Sequence, residues 1–228
     1  TVHATQPVEQ SDPDKVDGET VASLNENSLA INIHIDGTYS GPGWDHLIAE
    51  SEQAGIVILG EQHATADIPA LANQLHETLK SDALAIEVGP WSTRYAVELI
   101  KNGAGTLETW QARSGHGFAF PFLFFAEESK AAEKMALRSP DKIEPLWGLD
   151  QEFVGSGASL LPILQREAKT DAQKAAVESF GAAQSKDPMM VGSIDGPAID
   201  SLASAFAGNA IVGEIMTALR MTSAIYAP

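Results

Sequence analysis

"IVILGEQHATADIPALANQLHETLKSDALAIEVGP", residues 56–90, holds the pattern on which the fold turns. It opens with Ile56, Val57, Ile58 and Leu59, a short run apolar at every position, as in a strand covered on both faces. "DIPALANQLHETLK" follows as a helix, with Asp67 as its N-cap and Pro69 in its first turn. "ALAIEVGP" is a second apolar strand. The two strands end in ionisable residues: Glu61 and His63 after the first, Glu87 after the second. Such groups are costly at a buried strand end unless they are paired or used.

Working outward, the alternation continues. "STRYAVELIKNG" reads as a helix closed by Asn102 and Gly103, and "AEESKAAEKMALR" as another. "IEPLWGLDQ" is a third strand, ending in Asp150. Strands apolar on both faces, alternating with helices, predict an α/β fold whose core is a parallel sheet with helices on both faces. From Ser156 onward the pattern is helical: "ASLLPILQREA", "DAQKAAVESFGAAQ" and "IDSLASAFAGNAIVGEIMTALRMTSAIY", broken at Pro188 and again at Gly196-Pro197. Leu202, Phe206, Ile211, Ile215 and Leu219 recur at core spacing. Toward the N-terminus, "WDHLIAESEQAG" reads as a helix ended by Gly55. Leu29, Ile31, Ile33 and Ile35 alternate like a half-buried strand leading into an Asp36-Gly37 turn. The expected organisation is a flexible leader over residues 1–28, an α/β core carrying the site over 29–155, and a helical segment packed on that core over 156–228. Three strands make a thin sheet for so many helices, which suits an incomplete family domain.

Composition bounds the function. The 228 residues carry 31 acids against 14 bases, a formal charge of −17. That surface repels phosphate backbones and anionic lipid, so neither nucleic acid nor a membrane surface is the expected partner. The densest apolar run, "FAFPFLFFA" over residues 118–126, is too short to span a bilayer. There is no cysteine, which excludes disulfides, thiolate nucleophiles and Cys-ligated metal. A chain starting "TVHATQPVEQ" without Met suits either a mature exported protein, periplasmic or extracellular, or a trimmed chain; export is the expectation. The expected partner is a small-molecule substrate, with the oligomeric state open.

In a parallel sheet the strand ends lie along one edge, where open α/β folds place their ligand crevice. Glu61, His63, Glu87 and Asp150 are therefore the candidate catalytic residues, with Glu61 and His63 on one face and Gln62 opposite. One acid at a strand end is commonly a helix cap or a loop salt bridge; four ionisable groups on one edge favour a site. A neutral imidazole is a good general base for water, and a carboxylate beside it fixes its tautomer and stabilises the imidazolium. The remaining carboxylates orient water, or one or more of them joins His63 on a divalent metal; the pattern leaves metal-free and metal-assisted hydrolysis both open. Arg94, one turn into the helix after Glu87, and His116, in a Gly-flanked loop, are candidate substrate-binding residues. Surface pairing and plain solvation are their ordinary alternatives. His34, on the polar side of its strand, His46 and His76 have no assigned role. The phenylalanines of the aromatic run read as core, with an aromatic-substrate or haem pocket as the sharper alternative. No G-x-S-x-G elbow or P-loop occurs, and "GSGASL" lacks the third glycine of a dinucleotide fingerprint.

"VILGEQHATADIPAL", "LAIEVGPW" and "FPFLFFAEESKAAEKMALR…IEPLWGLDQEF" together resemble the erythromycin esterase-like proteins. The wider superfamily includes a haem-binding lipoprotein family and membrane-tethered metalloproteases. The resemblance spans about residues 41–153. It implies an α/β fold with the site at the strand ends. It implies that His63 activates water, that Glu61 is the acid of the first block and Glu87 the essential acid of the second, and that Asp150 is the acid of the G-x-D strand. The implied activity is hydrolysis of an ester or related bond, with haem or metal binding as the alternative. Two departures stand out. The esterases usually have one more residue between acid and histidine, so "GEQH" is closer to the haem-binding branch. They also carry a second functional histidine on a late strand, whereas no histidine follows His116 here.

Overall fold

A computed structural model describes residues 18–60, 64–103, 105–113, 118–138, 144–152, 155–185 and 196–226. The chain divides after Val57 into two units. The first holds helix α1 (Gly18–Asn27), strands β1 (Asn32–Ile33) and β2 (Tyr39–Ser40), and helix α2 (Pro42–Ser51). β1 and β2 pair antiparallel, with Ile33 opposite Tyr39. Their turn is set by Asp36, whose Oδ1 accepts from Thr38 N at 3.0 Å and Thr38 Oγ1 at 2.7 Å, while Gly37 takes φ +80°. Trp44 of α2 packs on Tyr39, with ring centroids 5.2 Å apart. Two expectations change here. Residues 18–27, read as part of a loose leader, are helical, though their described side chains are exposed. The expected half-buried strand shrinks to two residues, and Ile31, Ile33 and Ile35 are exposed.

The second unit contains α3 (Asp67–Leu79), β3 (Leu84–Ile86), α4 (Pro90–Lys101), α5 (Leu107–Gln111), α6 (Ala126–Arg138), β4 (Leu146–Gly148), α7 (Gly157–Glu167), α8 (Asp171–Gln184), α9 (Gly196–Ala205) and α10 (Ala210–Tyr226). Asp67 begins α3 rather than capping it; the cap position is Ala66, and Asp67 sits in the first turn, where its charge suits the helix dipole. β3 and β4 pair in parallel, Leu84 with Leu146, Ala85 with Trp147 and Ile86 with Gly148. This is a mixed α/β unit, mostly helical, with a two-stranded parallel sheet.

The sheet departs from expectation in two ways. Residues 56–60, read as the first strand, pair with no strand among the described residues; Ile56 and Ile58 are 81% and 87% exposed. A fully apolar run becomes a strand only when a neighbouring backbone takes its N–H and C=O groups. Among the described residues, helices pack on one face of the sheet. Leu84, Ile86, Val88 and Leu146 join α4, α5 and α6 in one buried cluster. On the opposite face Ala85 and Glu87 are exposed, as are Trp147 at 51% and Leu149 at 71%.

The second cluster is helical. Leu160, Ile163 and Leu164 of α7 meet Val177 and Phe180 of α8, Ile199 and Leu202 of α9, and Val212, Ile215, Met216 and Leu219 of α10. Its caps are explicit: Thr170 and Gln173 form a capping box on α8. The last predicted helical stretch splits because Gly208 takes φ +86° and Asn209 Oδ1 accepts from Val212 N, ending α9 and starting α10. Leu202, Phe206, Ile215 and Leu219 are buried as their spacing predicted, but Ile211, at the new helix start, is exposed. Trp91 and Tyr95 of α4 pack against this cluster, and Tyr95 also touches the first, so α4 is shared by both. No described helix is long and apolar enough to cross a membrane.

The aromatic run also divides. Phe120 is fully buried against Trp110, whereas Phe118, Phe124 and Phe125 are exposed. Phe118 and Phe122 take left-handed φ of 57° and 60°, so the run turns twice and does not continue as a regular element. Gln111 holds the turn, donating to Leu123 O at 2.8 Å and accepting from Phe120 N at 3.3 Å.

Candidate functional site

Glu61, His63 and His116 lie outside the described residues. Glu87 and Asp150 both follow the C-terminal ends of the paired strands, and the pairing runs on past the strands: Leu149 N donates to Ile86 O at 3.0 Å and Asp150 N to Val88 O at 3.3 Å. The two acids thus reach the same end of the sheet, yet they do not meet. Alternation from the register puts Glu87 with Ala85 and Trp147 on the open face. Asp150 continues the line of Leu146 and Gly148 on the covered side. It is half-buried, its Oδ1 accepts from Gln151 N at 2.7 Å, and its charge bears on Glu152. Glu87 is the solvent-accessible carboxylate of the pair.

Arg94 does not turn to either of these acids. Its guanidinium lies over the Trp91 ring, 4.6 Å from the centroid, and pairs with Glu144 at 3.4 Å and Glu214 at 3.9 Å. These are exposed side chains, so the pairs are surface contacts of small energetic weight. No three His, Asp or Glu side chains among the described residues gather as a metal would require. His76 is an ordinary helix residue: Nδ1 lies 2.9 Å from Ser81 Oγ, and burial, helped by Arg138, lowers its pKa.

The most deeply placed ionisable group at this end of the sheet is one the sequence did not single out. Glu152 is fully buried. Its Oε1 accepts from Trp91 N at 2.6 Å and Ser92 N at 3.1 Å, the free amides at the start of α4. Its Oε2 lies 2.6 Å from Ser92 Oγ. Gly89, just before α4, makes this approach possible, because a Cβ there would collide with the Glu152 carboxyl. Gly148 does the same for the strand: a Cβ would lie 2.6 Å from Gly89 O, Val88 O and Thr93 Oγ1. Burial pushes the Glu152 carboxyl above the usual carboxylate range, against the pull of Ser92 and Trp91, and Asp150 pushes the same way. Nothing in "GLDQEF" marks it, since its partners are about 60 residues away in sequence.

Comparison of the chain with protein-family models, curated proteins and solved structures finds no match in any of the three.

Proposed function

We propose that the chain is a hydrolase of the erythromycin esterase-like kind, in which His63 takes a proton from water that attacks an ester or related bond. Glu61 and Glu87 orient that water and stabilise the imidazolium. Asp150, turned to the covered side, belongs to the frame of the site. The reading is supported above all by the parallel pairing of β3 with β4, which brings the acids of "AIEVGP" and "GLDQ" to one end of the sheet. The exposure of Glu87 there supports a carboxylate within reach of substrate. The proposal includes a fuller parallel sheet with helices on both faces, and the solvent-open Trp147 and Leu149 support it, because apolar side chains on a sheet face suit a covering layer.

The test is hydrolysis of a panel of chromogenic esters by the purified chain. His63→Ala should lower kcat/KM by about 10²–10⁴-fold, the range of a general base, with the thermal midpoint unchanged. Equal activity in the variant would remove His63 from the reaction.

A second reading, haem binding, is favoured by one observation. Phe118 and Phe124 stack at 4.6 Å with their rings nearly parallel, and both are open to solvent, a flat apolar surface of the kind a macrocycle covers. Haemin titration decides it: a Soret shift that is lost on replacing His63 or His116 favours a carrier, and a flat titration removes it.

A further inference from the structure

Behind the sheet end, an unbroken row of short oxygen–oxygen contacts runs through the interior. Glu152 Oε2 lies 2.6 Å from Ser92 Oγ; Ser92 Oγ lies 2.7 Å from Ser159 Oγ; Ser159 Oγ lies 2.7 Å from the carbonyl of Ser156. Contacts this short between oxygens each need a hydrogen between them. Three contacts need three hydrogens. The two serine hydroxyls supply two, and the Ser156 carbonyl supplies none. With an ionised Glu152, Ser92 would donate to the carboxylate and Ser159 either to Ser92 or to the carbonyl, leaving lone pairs facing each other in one of the three contacts.

We propose that Glu152 is a neutral carboxylic acid at pH 7 whose proton starts a directed chain, Glu152 to Ser92 to Ser159 to the Ser156 carbonyl, that latches α4, α7 and α10 to the end of β4. Its other oxygen then acts as a carbonyl acceptor for the Trp91 and Ser92 amides. The latch reaches α10 through the backbone, since Thr222 Oγ1 donates to Glu152 O at 2.8 Å. Ser92, Ser159, Glu152 and Thr222 are all buried, where an unmet hydrogen bond is costly.

The surrounding charges agree. From its own segment Glu152 faces Asp150, a like charge that opposes ionisation. From α4, α7 and α10 it faces Ser92, Ser159 and Thr222, none of which titrates. The arginines of those helices are engaged elsewhere: Arg94 with Glu144 and Glu214, Arg166 with Glu98, and Arg220 with Asp200. The direction of the Glu152 pKa, raised by burial, is that of an acid kept protonated. A raised folded-state pKa means that the stability from this group is complete below the ordinary carboxylate range. It is lost as pH climbs through the folded value. The stabilisation is therefore greatest at acid pH and declines as pH rises. This inference does not depend on the hydrolase reading.

Two variants test it. Glu152→Gln keeps a neutral donor and a carbonyl acceptor of the same shape. Its thermal midpoint should equal that of the wild type near pH 5 and exceed it as pH rises toward 9. Glu152→Ala strands Ser92 and the α4 amides and should lower the midpoint by about 5 °C or more at every pH. Infrared difference spectra of wild type minus Glu152→Gln at pH 7 should show a deuterium-sensitive C=O stretch of a protonated acid. A carboxylate pair of bands in its place would overturn the proposal. So would a Glu152→Gln protein that fails to fold or is as unstable as Glu152→Ala from pH 5 to 9.

Discussion

The two buried clusters of the second unit are built to different standards. In the helical one, every helix from α7 to α10 turns a continuous apolar stripe inward, and Leu160, Leu164, Phe180, Leu202, Val212 and Ile215 are fully enclosed. Around β3 and β4, the face toward α4 and α6 is closed in the same way, but the opposite face shows Trp147 and Leu149 to solvent. A helix satisfies its own backbone and needs only one covered stripe; a strand needs a neighbour on each edge and a layer on each face. The helical cluster can therefore hold the unit together, while the sheet end is left free to present Glu87.

The contrast can be broken by substitution. The largest effect should come from Phe180→Ala, which removes a fully buried ring from the helical cluster and should cost about 3–5 kcal/mol in denaturant unfolding. A loss near 1 kcal/mol would mean that this cluster is not the stable half. The smallest should come from Leu149→Ser on the open face, which should change stability by no more than about 0.5 kcal/mol. A cost of 2 kcal/mol or more there, about the value of burying a whole leucine side chain, would show that the face is covered in solution.

Most of the helices, α1 and α5 excepted, were legible because their signals are local. The apolar spacing of Leu202, Phe206, Ile215 and Leu219 and the Asn102-Gly103 stop act within a turn or two of chain. What was lost depended on partners elsewhere. The run at residues 56–59 is as apolar as β3, yet strand formation depends on a neighbour that composition does not specify. The strand-end positions of Glu87 and Asp150 could be read, but not their faces, because a shift of one residue in pairing reverses every side chain. Phe118 and Phe124 were grouped with Phe120 as core; the run instead turns at Phe118 and Phe122, braced by a glutamine seven or more residues earlier, and both rings are exposed. Glu152 went unmarked because its partners, direct and through Ser92, lie on α4, α7 and α10.

Native-state hydrogen exchange reads the division most directly. Inner amides of α7, α8 and α10 should exchange slowest, at a rate set by unfolding of the whole unit, while residues 56–60 and the outer edge of β3 should exchange faster by several orders of magnitude. Protection of residues 56–60 equal to that of α8 would contradict the account, since it would place that apolar run inside a closed sheet.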